Sequence, residues 1–238
     1  MKYENIKTGI FKERPNRFVA LVEIDNKIEK VHVKNTGRCK ELLVPGATVF
    51  LQDFKDNMRN RKLRYSLISV IKKENDILIN MDSQAPNKVV EDALLSKTLT
   101  LPNMDTLALV KREQTFGNSR FDFYLEDING KKAYMEVKGV TLEDNGTAMF
   151  PDAPTARGVK HINELVAAKE AGYEAYILFV IQMEGMIVFT PNYKTHADFG
   201  DALSAAKHAG VHVLAYQCTV QKDGLSLDGS NEIPIVLK

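Results

Sequence analysis

Apolar and polar residues follow two different periods along this chain, and the place where one joins the other divides it. Up to about residue 80 the apolar runs are short, at 18–22, 28–33, 47–51, 65–71 and 77–79. Turn residues separate them at Pro15-Asn16, Asp25-Asn26, Asn35-Thr36-Gly37 and Pro45-Gly46. Several short strands at this spacing predict a small Greek-key barrel over 1–82. From 83 to 238 a helical period joins the alternating one. Val89, Val90, Ala93 and Leu94 mark a helix over 88–97 with Asn87 as its cap, and Val159, Ile162 and Val166 mark another from Thr155 to a stop at Gly172. Strands are predicted at 107–115, 175–181, 186–190 and 211–220, a third helix at 198–209, a breaker-rich loop at 143–154 and a closing hairpin at 225–237. The second part therefore reads as an α/β domain with a mixed central sheet, and the whole chain as α+β.

The stretch 119–141 is a β-hairpin whose register follows from its turn. Phe121, Phe123 and Leu125 alternate with Asp122, Tyr124 and Glu126; Ala133, Met135 and Val137 alternate with Lys132, Tyr134, Glu136 and Lys138. A two-residue Asn129-Gly130 loop would set Asp122 across from Val137, acid against apolar. A three-residue loop of Ile128, Asn129 and Gly130, with Gly130 left-handed, pairs Asp127 with Lys131 instead. One face then pairs Phe121 with Val137, Phe123 with Met135 and Leu125 with Ala133. The other pairs Asp122 with Glu136, Tyr124 with Tyr134 and Glu126 with Lys132.

Two facing carboxylates beside Lys138 repel each other unless a cation joins them. Mg²⁺ or Mn²⁺ suits the arrangement, since a hard cation takes one or two carboxylates together with waters and phosphate oxygens. Asp122 and Glu136 are thus candidate metal ligands, and Lys138 a candidate for stabilising charge on a phosphoryl group. Glu91, on the preceding helix, is a possible further ligand, although a lone acid there also reads as merely exposed. The plain alternative for the hairpin is a surface element with solvated charges.

With 44% hydrophobic and 26% charged residues, the 238-residue chain has the composition of a folded protein. No apolar run approaches the roughly 18 residues that a membrane helix needs, and none near the start has signal-peptide length. Cys39 and Cys218 lie far apart without metal-ligand spacing, which predicts a reduced, cytoplasmic setting. The net charge of +1 conceals an asymmetry. Residues 1–80 hold 17 Lys and Arg against 10 Asp and Glu, a balance of +7, which leaves 15 against 21, or −6, in the remainder. A basic barrel beside an acidic domain predicts DNA as partner, with no membrane and no small-molecule cofactor. Arg14, Arg17 and Arg38 are candidate phosphate contacts in a barrel of oligonucleotide-binding type, with Arg120 beside the hairpin acid and Arg157, Lys160 and His161 on the second helix. A solvated helix face explains the last three equally well. Phe11, Phe18 and Tyr65 are possible stacking platforms, and Phe18 is expected in the core.

The order helix, three strands, helix, strand, with Asp122 on the second strand and Glu136-Val-Lys138 on the third, resembles the core of the PD-(D/E)xK nuclease superfamily. Phe121 stands where that superfamily commonly has Pro. A more specific resemblance covers nearly the whole chain: Arg14-Pro-Asn-Arg17-Phe18, Asn35-Thr-Gly-Arg38, Gly117-Asn-Ser-Arg-Phe-Asp122, Glu136-Val-Lys138 and Phe150-Pro-Asp-Ala-Pro-Thr155 followed by Arg157-Gly158 look like the sugar fermentation stimulation protein family. Lys88 stands where that family would have Arg. The resemblance implies a prokaryotic cytoplasmic DNA-binding protein. Its nuclease pattern implies Asp122, Glu136 and Lys138 as catalytic residues, Asp122 and Glu136 as Mg²⁺ or Mn²⁺ ligands, and Asp152 as a possible addition. The expected activity is a metal-dependent DNA nuclease or phosphodiesterase; the alternative is a non-catalytic DNA-binding regulator of sugar catabolism genes that keeps the nuclease fold.

Overall fold

A computed structural model describes every residue except Thr36, so the Thr36 position of the expected turn lies outside the described residues. Strands β1 (Ile6–Asn16), β2 (Val19–Ile24), β3 (Lys27–Val33), β4 (Thr48–Asp53) and β5 (Tyr65–Ile71) are ordered β3-β2-β1-β4-β5. A parallel pairing of β3 with β5 closes them into a five-stranded barrel, and β6 (Leu78–Asn80) continues from β5. Phe11, Val22, Val31, Val49, Leu51 and Leu67 fill the interior. Burying each such side chain contributes about 1.5–3 kcal/mol.

Two expectations fail in this part. β1 carries no apolar alternation because only Gly9 and Phe11 of its residues are fully buried, so the hydrophobic pattern passed over it. Phe18 is not core but 45% exposed. The β1–β2 hairpin turns at Arg17 and Phe18, beyond the barrel's end, and the Arg17 guanidinium lies 4.7 Å above the Phe18 ring.

The second part begins with α1 (Ala85–Leu95), followed by β7 (Leu107–Phe116), β8 (Ser119–Asp127), β9 (Lys132–Val140), β10 (Leu142–Asp144), β11 (Thr147–Phe150), α2 (Ala156–Glu170), β12 (Glu174–Ile181) and β13 (Val188–Pro191). Then come α3 (Ala197–His208), β14 (His212–Gln217), β15 (Thr219–Gln221) and β16 (Gly224–Ser226). Its central sheet runs β14-β12-β9-β8-β7, parallel across β14, β12 and β9 and antiparallel across β9, β8 and β7. α1 covers one face, packing Val89, Val90 and Leu94 with Phe123, Met135 and Leu178. α2 and α3 cover the other, packing Ile162, Leu165 and Leu203 with Ile177 and Phe179.

Three local expectations are corrected here. α1 starts before Asn87, because the Asp82 carboxylate accepts the N–H of Gln84 and Pro86 sits in the first turn, which frees Asn87's side chain for another partner. The 143–154 loop contains the β10–β11 hairpin, and β11 runs parallel to β13. The final hairpin is β15–β16, earlier than 225–237; beyond it the tail lies back on the body, with Ile235 bridging Phe189. Barrel and second part share buried polar contacts. Gln182 Nε2 donates to the Asn80 carbonyl at 3.0 Å, and Lys72 pairs with Glu143.

Candidate active site

The hairpin that carries the candidate residues has the register derived above over four pairs, Phe123–Met135, Tyr124–Tyr134, Leu125–Ala133 and Glu126–Lys132. Gly130 sits at φ +79°, and the Asp127 N–H donates to the Lys131 carbonyl at 2.9 Å, as the three-residue loop requires. The ladder stops at Phe123–Met135. Phe121 does not join Val137 on the α1 face; its ring packs against Tyr134 and His161, with centroids 5.5 and 6.2 Å apart, on the α2 face. Strict alternation therefore breaks at Asp122. On β7, Glu113, between the partners of Phe121 and Phe123, has φ +55°. The two strands splay, and the Asp122 carboxylate enters the gap.

There, Asp122 Oδ2 accepts the Val137 N–H at 2.8 Å and Oδ1 accepts from Asn87 Nδ2 at 2.7 Å. Glu136 is buried and held from the opposite side: Oε1 accepts from Lys138 Nζ at 2.5 Å and from His161 Nδ1 at 2.6 Å. Arg157 Nε donates to His161 Nε2 at 3.3 Å, and since Nε2 must accept there, the neutral ring carries its proton on Nδ1. Glu136 Oε2 is buried with no hydrogen-bond partner among the described residues.

The two carboxyls respond in opposite directions. Burial, then the charge of Glu136, pushes Asp122 above the ordinary carboxylate range, and the bonds from Val137 and Asn87 do not fully offset this. Burial also acts to raise Glu136, but the His161 hydrogen bond and the Lys138 ammonium outweigh it and hold the group low. A buried orphan oxygen beside a carboxylate destabilised by burial and by its neighbour's charge is chemistry that a divalent cation fits. Among the described residues there is no cluster of three or more His, Cys, Asp or Glu that could hold a metal ion, so an ion at this place would draw two carboxylates, Asp122 and Glu136, from the protein. That number suffices for Mg²⁺ or Mn²⁺.

The other candidates are distributed around this centre. Glu91 is on α1 one turn beyond Asn87, but its carboxylate meets Lys88 at 3.3 Å and Arg112 at 3.7 Å. Asp152 is exposed and lies against Gly37, on the barrel side. Arg14 is spent on the protein, donating to the carbonyls of Arg17 and Asn35 at 2.7 Å and of Gly37 and Arg38 at 2.8 Å. Arg17 and Arg38 are exposed around the same pocket, which Lys40 also lines. Arg120 is exposed next to Glu113, at 3.5 Å. Lys160 is exposed and donates to the Asn118 carbonyl at 2.9 Å. His161 is buried and faces Glu136, away from the solvated helix face on which the sequence put it. Its spacing held the signal: His161, Leu165 and Ala168 follow i, i+4, i+7 along the buried stripe of α2. Asn87 was read as a cap, and nothing local pointed it at Asp122.

Residues 13–81 match the N-terminal OB domain of the sugar fermentation stimulation protein, and residues 84–224 match its RE domain. A sugar fermentation stimulation protein homolog of Desulfitobacterium hafniense (strain DSM 10664 / DCB-2) is 55% identical over 225 residues, 94% of this chain and 94% of its own. One of Clostridium botulinum (strain Loch Maree / Type A3) is 53% identical over 232 residues, 98% of each. The solved structure of Pyrococcus furiosus SfsA in complex with Ca²⁺ superposes with a TM-score of 0.87 at 28% identity, covering 100% of this chain and 98% of that one. Among the described residues, no helix is long and apolar enough to cross a membrane. The chain belongs to the sugar fermentation stimulation protein family.

Proposed function

We propose that this protein is a DNA phosphodiesterase that works with a divalent cation, Mg²⁺ or Mn²⁺, held by Asp122 and Glu136. The observation that carries the reading is Glu136 Oε2, buried and without a partner among the described residues, beside an Asp122 carboxyl that burial and its neighbour's charge destabilise. The similar Pyrococcus furiosus protein is described in complex with Ca²⁺, also an oxygen-seeking divalent ion. When bound, such an ion supplies polarisation of a phosphoryl oxygen and a more acidic water.

The chain's own residues do the rest. Asn87 and the Val137 N–H fix both oxygens of Asp122, so one rotamer is presented. His161 and Lys138 share Glu136 Oε1, which leaves Oε2 as the free donor. The Lys138 ammonium, half-buried on the same strand, can offset charge that builds on phosphate as the ester bond breaks.

Calorimetry with Mn²⁺, with DNA cleavage followed on the same samples, tests this. Asp122→Asn should lose the cation, because an amide keeps an oxygen but not the charge that offsets metal dehydration. Lys138→Ala should keep both cation and DNA yet cut roughly 10²–10³-fold more slowly. Wild-type protein that binds DNA but no divalent cation would instead be the non-catalytic DNA-binding regulator.

A further inference from the structure

We propose that the cleft between the barrel and α1 is a track for single-stranded DNA, in which a base stacks on the Arg61–Phe54 pair and the strand runs on to Asp122. The proposal rests on the reading of Asp122 and Glu136 as a phosphodiester-cleaving site, and it adds the strandedness of the substrate and the surface that holds it.

The cleft has a volume of about 710 Å³, within the range of sites that enclose a ligand. Lys34 and Arg61 line it from the barrel side, and Lys88 and Arg112 from the α1 and β7 side, against the carboxylates of Asp82 and Glu113. The basic groups outnumber the acids, as a polyanion requires. Lys34 is already paired with Asp82, and Lys88 with Glu91 and Asp92. Arg61 has no carboxylate partner among the described ion pairs. Its Nη2 donates to Ser66 Oγ at 2.5 Å, and its guanidinium carbon lies over the Phe54 ring, 3.7 Å from the centroid.

That stack is the recognition element. A planar cation layered on an aromatic ring offers a broad π surface with a fixed positive charge, which suits the face of any base. The anchor on Ser66 keeps the guanidinium from swinging away. A duplex offers no free base faces, because they are stacked within it, and extruding one costs a few kcal/mol. A single strand exposes them.

The far wall connects the cleft to the carboxylates. Asn87 lines the cleft and is also the residue that bonds Asp122. Glu113, another lining residue, falls between the β7 partners of Phe121 and Phe123. A strand following this wall therefore leaves the cleft beside Asp122, with its phosphates near Arg112 on the way.

The test is fluorescence anisotropy with a labelled oligothymidylate and a labelled hairpin duplex, both in EDTA so that no metal takes part. Wild type should bind the single strand more tightly. Phe54→Ala and Arg61→Lys should each weaken that binding by about tenfold, the effect of losing one stacked base, although Arg61→Lys keeps the charge. Phe54 is half-buried, so melting curves accompany the binding data. Should Phe54→Ala unfold, Arg61→Lys reports the same contact. Equal or tighter binding of the duplex, or an Arg61→Lys that binds like wild type, overturns the proposal even if Mn²⁺-dependent cleavage is found. Conversely, an absence of cleavage with single-strand binding intact overturns the phosphodiesterase reading and leaves the cleft standing as a binding track.

Discussion

Val137 donates its backbone N–H to Asp122 Oδ2 at 2.8 Å, in the position where a continued ladder would offer it a carbonyl. The side chain thereby replaces the missing rung, and the strands are held apart at the point where the two carboxylates meet. In EDTA, Asp122→Asn should melt a few degrees higher than wild type, since it keeps an acceptor for Val137 and removes a buried like charge next to Glu136. An equal or lower melting temperature would show that Glu136 does not burden Asp122.

His161 bonds Glu136 and so should act through it on the proposed cation. His161→Leu removes the donor at 2.6 Å from Oε1 and leaves that oxygen held by Lys138 alone. Metal affinity should fall about 10–100-fold, as for other residues that orient a ligand. His161→Asn, whose amide nitrogen falls near the position of Nδ1, should recover most of it. If Leu and Asn behave alike in calorimetry, the ring matters only for packing.

Lys72 and Glu143 join the barrel to the second part, with side chains 6% and 1% exposed. Glu143→Gln leaves the Lys72 ammonium only the exposed Glu74 carboxylate, at 3.2 Å, and should destabilise the fold in denaturant unfolding by less than the roughly 3–5 kcal/mol of a wholly stranded buried charge. Burial acts to raise the Glu143 carboxyl, but Lys72 and Asn75 outweigh it and the group is held below its ordinary value of 4.5. A lowered carboxyl contributes stability that is complete above the unfolded value and fades as pH falls through the folded one. The gap between wild type and Glu143→Gln should therefore persist at neutral pH and narrow below about 4.5. A gap that grows on acidification would contradict the pairing.

Arg14 and its neighbours should separate by phenotype. Arg14→Lys cannot reach four carbonyls with one ammonium, so it should loosen the backbone at Asn35, Gly37 and Arg38 and lower the melting temperature. Arg17→Ala and Arg38→Ala, both exposed, should leave stability alone and flatten the log-log salt slope of DNA binding by roughly 0.7–0.9 for each phosphate they no longer neutralise. Salt titrations unchanged in the double variant would remove this pocket from the DNA surface.

Much of this molecule is legible residue by residue. The hairpin register follows from the turn at 128–130, because a side-chain period of two leaves one pairing that segregates apolar from charged positions. The barrel strands from β2 to β5 and the three helices follow from their periods and stop signals. Other features depend on contacts that no local pattern encodes. β1 lies in the middle of the barrel sheet with only Gly9 and Phe11 fully buried, so its strand state comes from pairing with β2 and β4 on both sides. Phe18 is apolar yet exposed because the turn carries it past the barrel's end. The charges at 122, 136 and 138 can be read from the chain, but their poise cannot. It depends on Asn87, 35 residues before Asp122, and on His161, 25 residues after Glu136, reaching one gap from opposite faces of the sheet. Periodicity reports which face a residue prefers, whereas the meeting of two faces at the splayed end of a ladder is set by packing of α1 and α2 across the whole domain.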